Sequence, residues 1–449
     1  SFFLGNGTDL YVTWITFDET FKSLVEYGEN DLNLLAEGTS VYFVDEGEKR
    51  IRRYVHRVTL KSLKPGVTYQ YHVGSEYGWS PIFRFTALEP RPEGGFIYAV
   101  YGDLGNVNAR SLGKIQQFAQ RGKIDMVLHI GDMAYNLDTD DGYFGDQFGR
   151  QIEPIAAYVP YMTVVGNHES AQNFSHYVNR FDIGPAHFIV ISTEFYFYTN
   201  YGWKQIHHQW NWLMNDLQKA NSERDKHPWI ITMGHRPMYC SNFDGDDCTR
   251  YDSIVLPKCS LRYFNNNEIN YTNSLTAINN FYVIKKYWRV KPVNLLIPSS
   301  FLQIRTGLPV THAYGLEKLF YTYGVDLMIW AHEHSYERLW PVYNRTVFNG
   351  TRSPYFNPPA PVHIVTGSAG CQENTDPFQE HSPPWSAFRS SNYGFTTMQI
   401  FNDSHIYFEQ IAASKEKPED SFWLIKYSHR PYTLAQHKVL EKYGTHIPY

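Results

Sequence analysis

Five short apolar runs in this chain end alike, and that recurrence limits the possible folds more than any bulk property. "AVYGDLG" delivers Asp103, and "LHIGDMAY" delivers Asp132 and Tyr135. "TVVGNHE" delivers Asn167 and His168, "ITMGHRP" delivers His235, and "IWAHEHSYER" delivers His332 and His334. A buried strand followed at once by Gly or Ala lets the backbone turn sharply. The next side chain is then held at the strand's carboxyl end, where open α/β sheets build their sites. Taken singly, a Gly-Asp after a strand is a turn or helix cap, and a strand-end histidine is a packing residue. Five such ends in one domain, all presenting Asp, Asn, His or Tyr, are not explained by capping. That donor set suits borderline divalent and harder trivalent metals. In an extended segment residues two apart point to the same side, so His332 and His334 can face one centre.

The chain has 449 residues, enough for two domains. Residues 1–88 read as an all-β module. "DLYVTWITF" and "SVYFVD" alternate, "RRYVHRVTLKSLKPGVTYQYHVGS" holds two strands about a Lys-Pro-Gly turn, and "PIFRFTA" closes the series. This pattern predicts a small fibronectin III-like β-sandwich, a spacer or a wall of the substrate site. "LEPRPEGG" looks like a linker. From residue 96 to 449 short apolar runs alternate with helical segments, which predicts an α/β domain. In "WKQIHHQWNWLMNDLQKAN" one helical face carries Trp203, Ile206, Trp210, Leu213 and Leu217. His207 and His208 in that helix read as surface or packing residues.

Net charge is −5 with no basic block, which argues against nucleic acid as a partner. No apolar run reaches the length of a membrane span. Asn-X-Ser/Thr occurs at Asn6, Asn173, Asn270, Asn344, Asn349 and Asn402, which favours a secreted or lysosomal glycoprotein. Four cysteines are too few for a disulfide scaffold, but Cys240 and Cys248 are close enough to bridge a short loop. The chain begins at Ser1 without Met or a signal peptide, so it reads as mature or truncated at its start.

The elements "GDLG", "GDMAY", "GNHE", "GHRP" and "AHEHSYER", in this order, resemble those of the metallophosphoesterases and, within them, the purple acid phosphatases. "HSYERLWP" and "GVDL" look most like the animal long-form branch, and the leading β-module resembles the amino-terminal domain of larger members. The resemblance implies a β-sandwich metallophosphoesterase core with flanking helices, holding two metals. Asp103, Tyr135 and His334 would hold Fe(III). Asn167, His235 and His332 would hold a divalent zinc, iron or manganese ion, and Asp132 would bridge. Two cations about 3.5–4 Å apart clamp a phosphate and acidify a water. The implied reaction is therefore hydrolysis of small phosphate monoesters in acid, by in-line attack of metal-bound hydroxide. A phosphodiesterase or nucleotide hydrolase on the same site, or an impaired phosphate-binding homologue, are the alternatives. His168 resembles the family's phosphate-contacting histidine, with Glu169 orienting it. Glu337 and Arg338 read as an ion pair supporting the histidine loop.

Three stretches depart from the family pattern. Plant relatives carry a histidine pair after the "GHRP"-like motif. Here "MYCSNFDGDDCTR" has none, and Asp244, Asp246 and Asp247 stand in its place. The family's connection between Phe181 and Asp182 is shortened. Residues 259–303, rich in Asn, Ile, Tyr and Lys, read as an inserted segment or a retained intron. Their end "SSFLQ" fits a pyrimidine-rich tract closing in CAG, which favours the intron; in that case Cys259 and the Asn270 sequon carry no meaning.

Overall fold

A computed structural model describes the chain except residues 1, 5–8, 46, 92, 172–178, 200–201, 244–247, 249–262, 266–267, 271–301, 309–310 and 433–449. Asn6, Asn173, the three aspartates at 244, 246 and 247, Cys259 and most of the segment 259–303 lie outside the described residues. Within that segment a two-stranded hairpin joins Tyr263–Asn265 to Glu268–Asn270.

The amino-terminal strands form two antiparallel sheets. One contains Phe2–Leu4, Leu10–Thr16, Arg52–Leu60 and Thr39–Val44; the other is built on Leu24–Gly28 and Thr68–Ser75. Alternation places Val12, Val58, Leu60, Val25, Tyr69 and Phe85 between them. The two strands about the Lys-Pro-Gly turn fall in different sheets, so that turn crosses the sandwich. Leu24–Gly28 and Leu34–Glu37 were not singled out in the sequence. They are short, and Leu34–Glu37 is mostly exposed, so alternation is weak there.

The second domain stacks two mixed sheets between helices. In chain order its elements are β1 (Phe96–Tyr101), α1 (Leu112–Gln120), β2 (Met126–Ile130), α2 (Tyr143–Ala156) and β3 (Tyr161–Val164). There follow β4 (Asn179–Ile183), β5 (Ala186–Val190), α3 (Lys204–Ser222), β6 (Trp229–Met233), α4 (Leu316–Thr322) and β7 (Leu327–Trp330). The last are β8 (Tyr336–Leu339), β9 (Val362–Thr366), β10 (Ser386–Ser390), β11 (Gly394–Asn402), β12 (His405–Ala412) and β13 (Asp420–Ile425). One sheet runs β3-β2-β1-β11-β12-β13 and the other β4-β5-β6-β7-β9-β8-β10. The pairs β1/β2, β2/β3, β5/β6 and β6/β7 are parallel.

Both faces are covered along β1, β2, β3, β5, β6 and β7, which is why these strands are continuous apolar runs rather than alternating ones. Leu128, Ile130, Phe188, Ile231, Ile329 and Met398 fill the space between the sheets. Ile115 and Ala119 of α1 and Phe148 and Ile155 of α2 cover one outer face. Ile206, Leu213 and Leu217 of α3 cover the other, with Trp203 and Trp210 packed beside them. His207 and His208 are exposed. The described residues contain no helix long and apolar enough to cross a membrane.

The first domain is bolted to the turn that leads into α2. Arg53 donates through Nε and Nη2 to Asp146 at 2.9 and 2.8 Å, and through Nη2 to the Asp141 carbonyl at 2.9 Å. Gly142 lies under that guanidinium with φ +81°; a Cβ there would come within 2.7 Å of Nη2. Tyr71 adds a hydrogen bond to the Ala157 carbonyl.

Phe181 and Asp182, between which a shortened connection was expected, are consecutive in β4, which pairs with β5 in a tight hairpin. His187 of β5 binds Asp182 through Nδ1 and the buried Asp216 of α3 through Nε2 at 2.9 Å. Burial opposes the charged ring, but these two carboxylates outweigh it and push its pKa up to about 9. The folded value lies above the unfolded value of about 6.5. The stabilisation is therefore complete below the unfolded value and is lost as pH rises through about 9. His187→Gln keeps a hydrogen-bonding side chain without the charge. It lowers the melting temperature at pH 6, and the gap from the parent narrows by pH 10 in thermal scans.

Candidate metal centre

All seven residues expected to bind metal stand at the carboxyl ends of parallel strands, and both sheets contribute. Asp103 follows β1, Asp132 and Tyr135 follow β2, and Asn167 follows β3. His235 follows β6, and His332 and His334 follow β7. The turns are tight enough to force left-handed backbone on side chains that avoid it: φ is +57° at Asp103, +51° at Asp132, +59° at Tyr135 and +69° at His332. Such strain persists where the surroundings over-determine it, and it gathers at functional sites. Gly131 takes φ +82° and has no room for a side chain, since a Cβ would lie 2.4 Å from His235 Nδ1. The Ala331 methyl lies 2.4 Å from where a Cβ on Gly102 would stand. Alanine at 331 is therefore accommodated by the glycine opposite.

The side chains gather in two adjoining groups. In the first, Tyr135 Oη is 2.7 Å from His334 Nε2 and 3.3 Å from Asp103 Oδ1. His334 is aimed by donating Nδ1–H to the Asn374 carbonyl at 2.9 Å. In the second, His235 Nε2 lies 3.3 Å from Asp132 Oδ2, 3.1 Å from Asn167 Oδ1 and 3.2 Å from His332 Nδ1. His235 is aimed by donating Nδ1–H to the Ile130 carbonyl at 2.8 Å. The ligand atoms of Asp132, His235 and His332 lie within 4.8 Å of one another. Asp103 also ties the groups together by accepting the His332 backbone N–H at 3.0 Å.

The electrostatics of the cluster call for positive charge. Asp103, Asp132 and His235 are at most 1% exposed. Burial disfavours the charged form of His235, but Asp132 and then Asp103 push its pKa up to about 10. His334 is likewise pushed up to about 12, because Asp103 and Cys371 outweigh burial. Asp132 is held below the usual carboxylate range by His235 and His168 despite burial. Burial, then the Asp103 and Asp132 charges, raise the Tyr135 hydroxyl well above its ordinary value. Two buried carboxylates thus recruit protons onto neighbouring histidines, as they would recruit cations. Carboxylate, amide, phenol and imidazole donors fit a pair of hard-to-borderline ions.

His168 lies at the mouth, over this floor. Its ring centroid is 4.4 Å from that of Tyr135, and its Nδ1 is 2.9 Å from Asn136 Oδ1. Glu169 does not orient the His168 ring as the sequence suggested; Asn136 does. Glu169 instead turns inward and accepts backbone N–H groups from Asp132, Met133 and Gly166 at 2.9, 2.8 and 2.8 Å. A single buried carboxylate therefore fixes two ligand turns. Glu337 and Arg338 do not pair either. Neighbours on a strand point to opposite faces, so Arg338 binds Asp420 at 2.7 Å while Glu337 accepts from Ser241 at 2.7 Å. Cys240 and Cys248 form a disulfide beside Ser241.

Several neighbours of the centre were not read from the sequence. Arg236 Nη1 is 2.8 Å from His332 Nε2, and its Nε donates to the buried Glu194 at 3.0 Å. Its place inside "GHRP" was the available signal. The loop after β9 supplies Cys371, Asn374 and Asp376, all in contact with His334. Its apolar run was visible, but it presents no Asp or His directly at the strand end.

Three family matches cover most of the chain. Residues 3–87 match the purple acid phosphatase N-terminal domain, 98–336 the calcineurin-like phosphoesterases, and 360–421 the iron/zinc purple acid phosphatase-like protein C family. Acid phosphatase type 7 of Homo sapiens is 45% identical over 440 residues, covering 94% of this chain and 89% of the relative. Its Danio rerio counterpart is 45% identical over 448 residues, covering 95% and 90%. A purple acid phosphatase from yellow lupin (Lupinus luteus) seeds shares the fold with a TM-score of 0.67 at 23% identity, over 94% of this chain and 73% of that one.

Glu169→Gln leaves only one acceptor atom for three backbone donors and turns an NH2 group toward them. Partners behind metal ligands are worth about 10–100-fold in metal affinity. The variant is expected to fold, by circular dichroism, and to retain metal less tightly by that order in competition with a chelator.

Proposed function

We propose that this chain, which belongs to the purple acid phosphatase family, is a metal-dependent acid phosphatase acting on small phosphate monoesters at the seven-donor cluster. One observation carries the proposal: the Tyr135 hydroxyl meets the His334 imidazole at 2.7 Å and the Asp103 carboxylate at 3.3 Å. A phenolate beside carboxylate and imidazole suits Fe(III), so Asp103, Tyr135 and His334 are assigned to a ferric ion. Asn167, His235 and His332 are assigned to a divalent zinc, iron or manganese ion, and Asp132 to both. When bound, the ions supply Lewis acidity, drawing charge from the phosphoryl oxygens and acidifying a water for in-line attack.

The chain's own residues position and dry the reaction. The left-handed turns set the backbone at Asp103, Asp132, Tyr135 and His332, and burial of Asp103, Asp132 and Tyr135 excludes water from beneath the cluster. His168 keeps its ring over Tyr135, donates Nδ1–H to Asn136 and leaves its Nε2 edge for a phosphoryl oxygen. The Cys240–Cys248 disulfide and the exposed sequons at Asn344, Asn349 and Asn402 support a secreted or lysosomal glycoprotein. Residues 259–303 are proposed as additional to the catalytic domain of 96–449. Ile304, the first residue after the segment, is buried in the core packed with α3, which supports a return to the catalytic domain there, and Leu302 at the segment's end is buried in the same core.

The tests read metal and substrate separately. Metal-replete protein is expected to show a visible phenolate-to-iron band that Tyr135→Phe abolishes; a colourless parent with a full metal complement would overturn the ferric assignment. A panel of mono- and diesters at pH 5 and 7.5 is expected to show fastest turnover of monoesters in acid. Faster diester turnover would instead mark a phosphodiesterase on the same site. His168→Ala is expected to lower kcat on the order of 10²–10³-fold, the usual cost of one charge-stabilising donor, with metal content retained.

A further inference from the structure

The exposed sequon at Asn402 shares a sheet face with a cluster of aromatic rings. Pairing of β12 with β13 sets Tyr407 opposite Trp423 and His405 opposite Ile425. Ile406, Phe408, Phe422 and Leu424 point inward, so Tyr407, His405 and Trp423 face out. Trp423 is 41% exposed on the outermost strand of its sheet. At the end of β11 the register slips between Ile400 and Asn402, which leaves Phe401 unpaired and sets Asn402 opposite His405. Such a bulge breaks alternation by giving one strand an extra residue. Asn402, opposite outward-facing His405, is thereby returned to the outer face, and Phe401 reaches that face as well: its ring lies 5.1 Å from that of Trp423. Tyr407 lies 4.8 Å from Trp423 on the other side.

The Asn402 side chain is preset for modification. Its Oδ1 accepts from the Ser404 backbone N–H at 2.9 Å and lies 3.2 Å from the Ser404 hydroxyl. That arrangement fixes the carboxamide plane. Both oxygen contacts lie toward the turn, so the Nδ2 edge is turned away from it.

We propose that Asn402 carries an N-linked glycan whose first N-acetylglucosamine stacks on the Phe401–Trp423–Tyr407 platform, the apolar sugar face covering rings that otherwise meet water. This rests on the secretory part of the reading above. In the modification, Nδ2 displaces the diphosphate of a lipid-linked oligosaccharide at its anomeric carbon. An N–C bond forms, a C–O bond breaks and one amide proton leaves. The bulge is the device that matters: had Phe401 been paired regularly after Ile400, alternation would have turned Asn402 to the face opposite Trp423.

The test uses full-length protein secreted from a eukaryotic host, with site occupancy read by peptide mass spectrometry. Asn402 is expected to be occupied. Asn402→Gln is expected to lower the melting temperature by about 2 °C, and trimming to a single sugar to leave it near the parent. In a Trp423→Ser background the glycan effect is expected to vanish, and in Trp423→Phe to return in part. A glycan effect of equal size in the parent and in both Trp423 variants would overturn the stacking. Occupied Asn344 and Asn349 with a bare Asn402 would overturn this proposal alone, whereas three bare sites in protein from its natural source would overturn the secretory reading beneath it.

Discussion

The structure depends on keeping two carboxylates, Asp103 and Asp132, charged at the bottom of a protein interior. Burying an unpaired carboxylate is prohibitive, so everything nearby supplies positive charge or donors. Histidines on three strand ends lean toward these two groups, and two of them are held protonated in the absence of ions. The same demand explains the left-handed backbone at four of the ligands. Turning the chain hard at each strand end is what brings side chains from two separate sheets to one point. A charge arrangement too costly for a core becomes stable when cations complete it.

Support for the centre comes from far along the chain. Glu169 ties the β2 and β3 turns together through backbone N–H groups, the loop after β9 aims His334, and Arg53 of the first domain braces the entry to α2. The amino-terminal sandwich, which carries no recognisable chemistry in its sequence, therefore contributes by holding the segment that follows Tyr135. The short hairpin of β4 and β5 carries Phe181 and Asp182 side by side in one strand. Phe181 packs inward against Phe188, while Asp182 meets His187 on the other side of the strand.

What was legible in the sequence was local. The strand-plus-ligand ends name the donors because each motif is complete within a few residues, and the 3.6-residue period of α3 needs no partner to be seen. His207 and His208 were separable from ligands because they sit on the wrong face of that helix. What escaped was long-range. Arg338 finds Asp420 across 82 residues of chain rather than its neighbour Glu337, and Asn136 rather than Glu169 holds the His168 ring. No spacing rule reports those pairings. Leu24–Gly28 escaped for a different reason: it is a short strand whose side chains are mostly half-exposed, so its alternation is faint.

The central claim is that one cluster of seven side chains binds two ions. The most direct measurement is anomalous scattering from crystals of the metal-replete protein, collected on either side of the iron edge, with metal content measured on the same sample. The account predicts two ions per chain about 3.5–4 Å apart. One should be iron, bound by Tyr135, Asp103 and His334. The other should be bound by Asn167, His235 and His332, with Asp132 touching both. A single ion, or two ions with Tyr135 bound to neither, would contradict it.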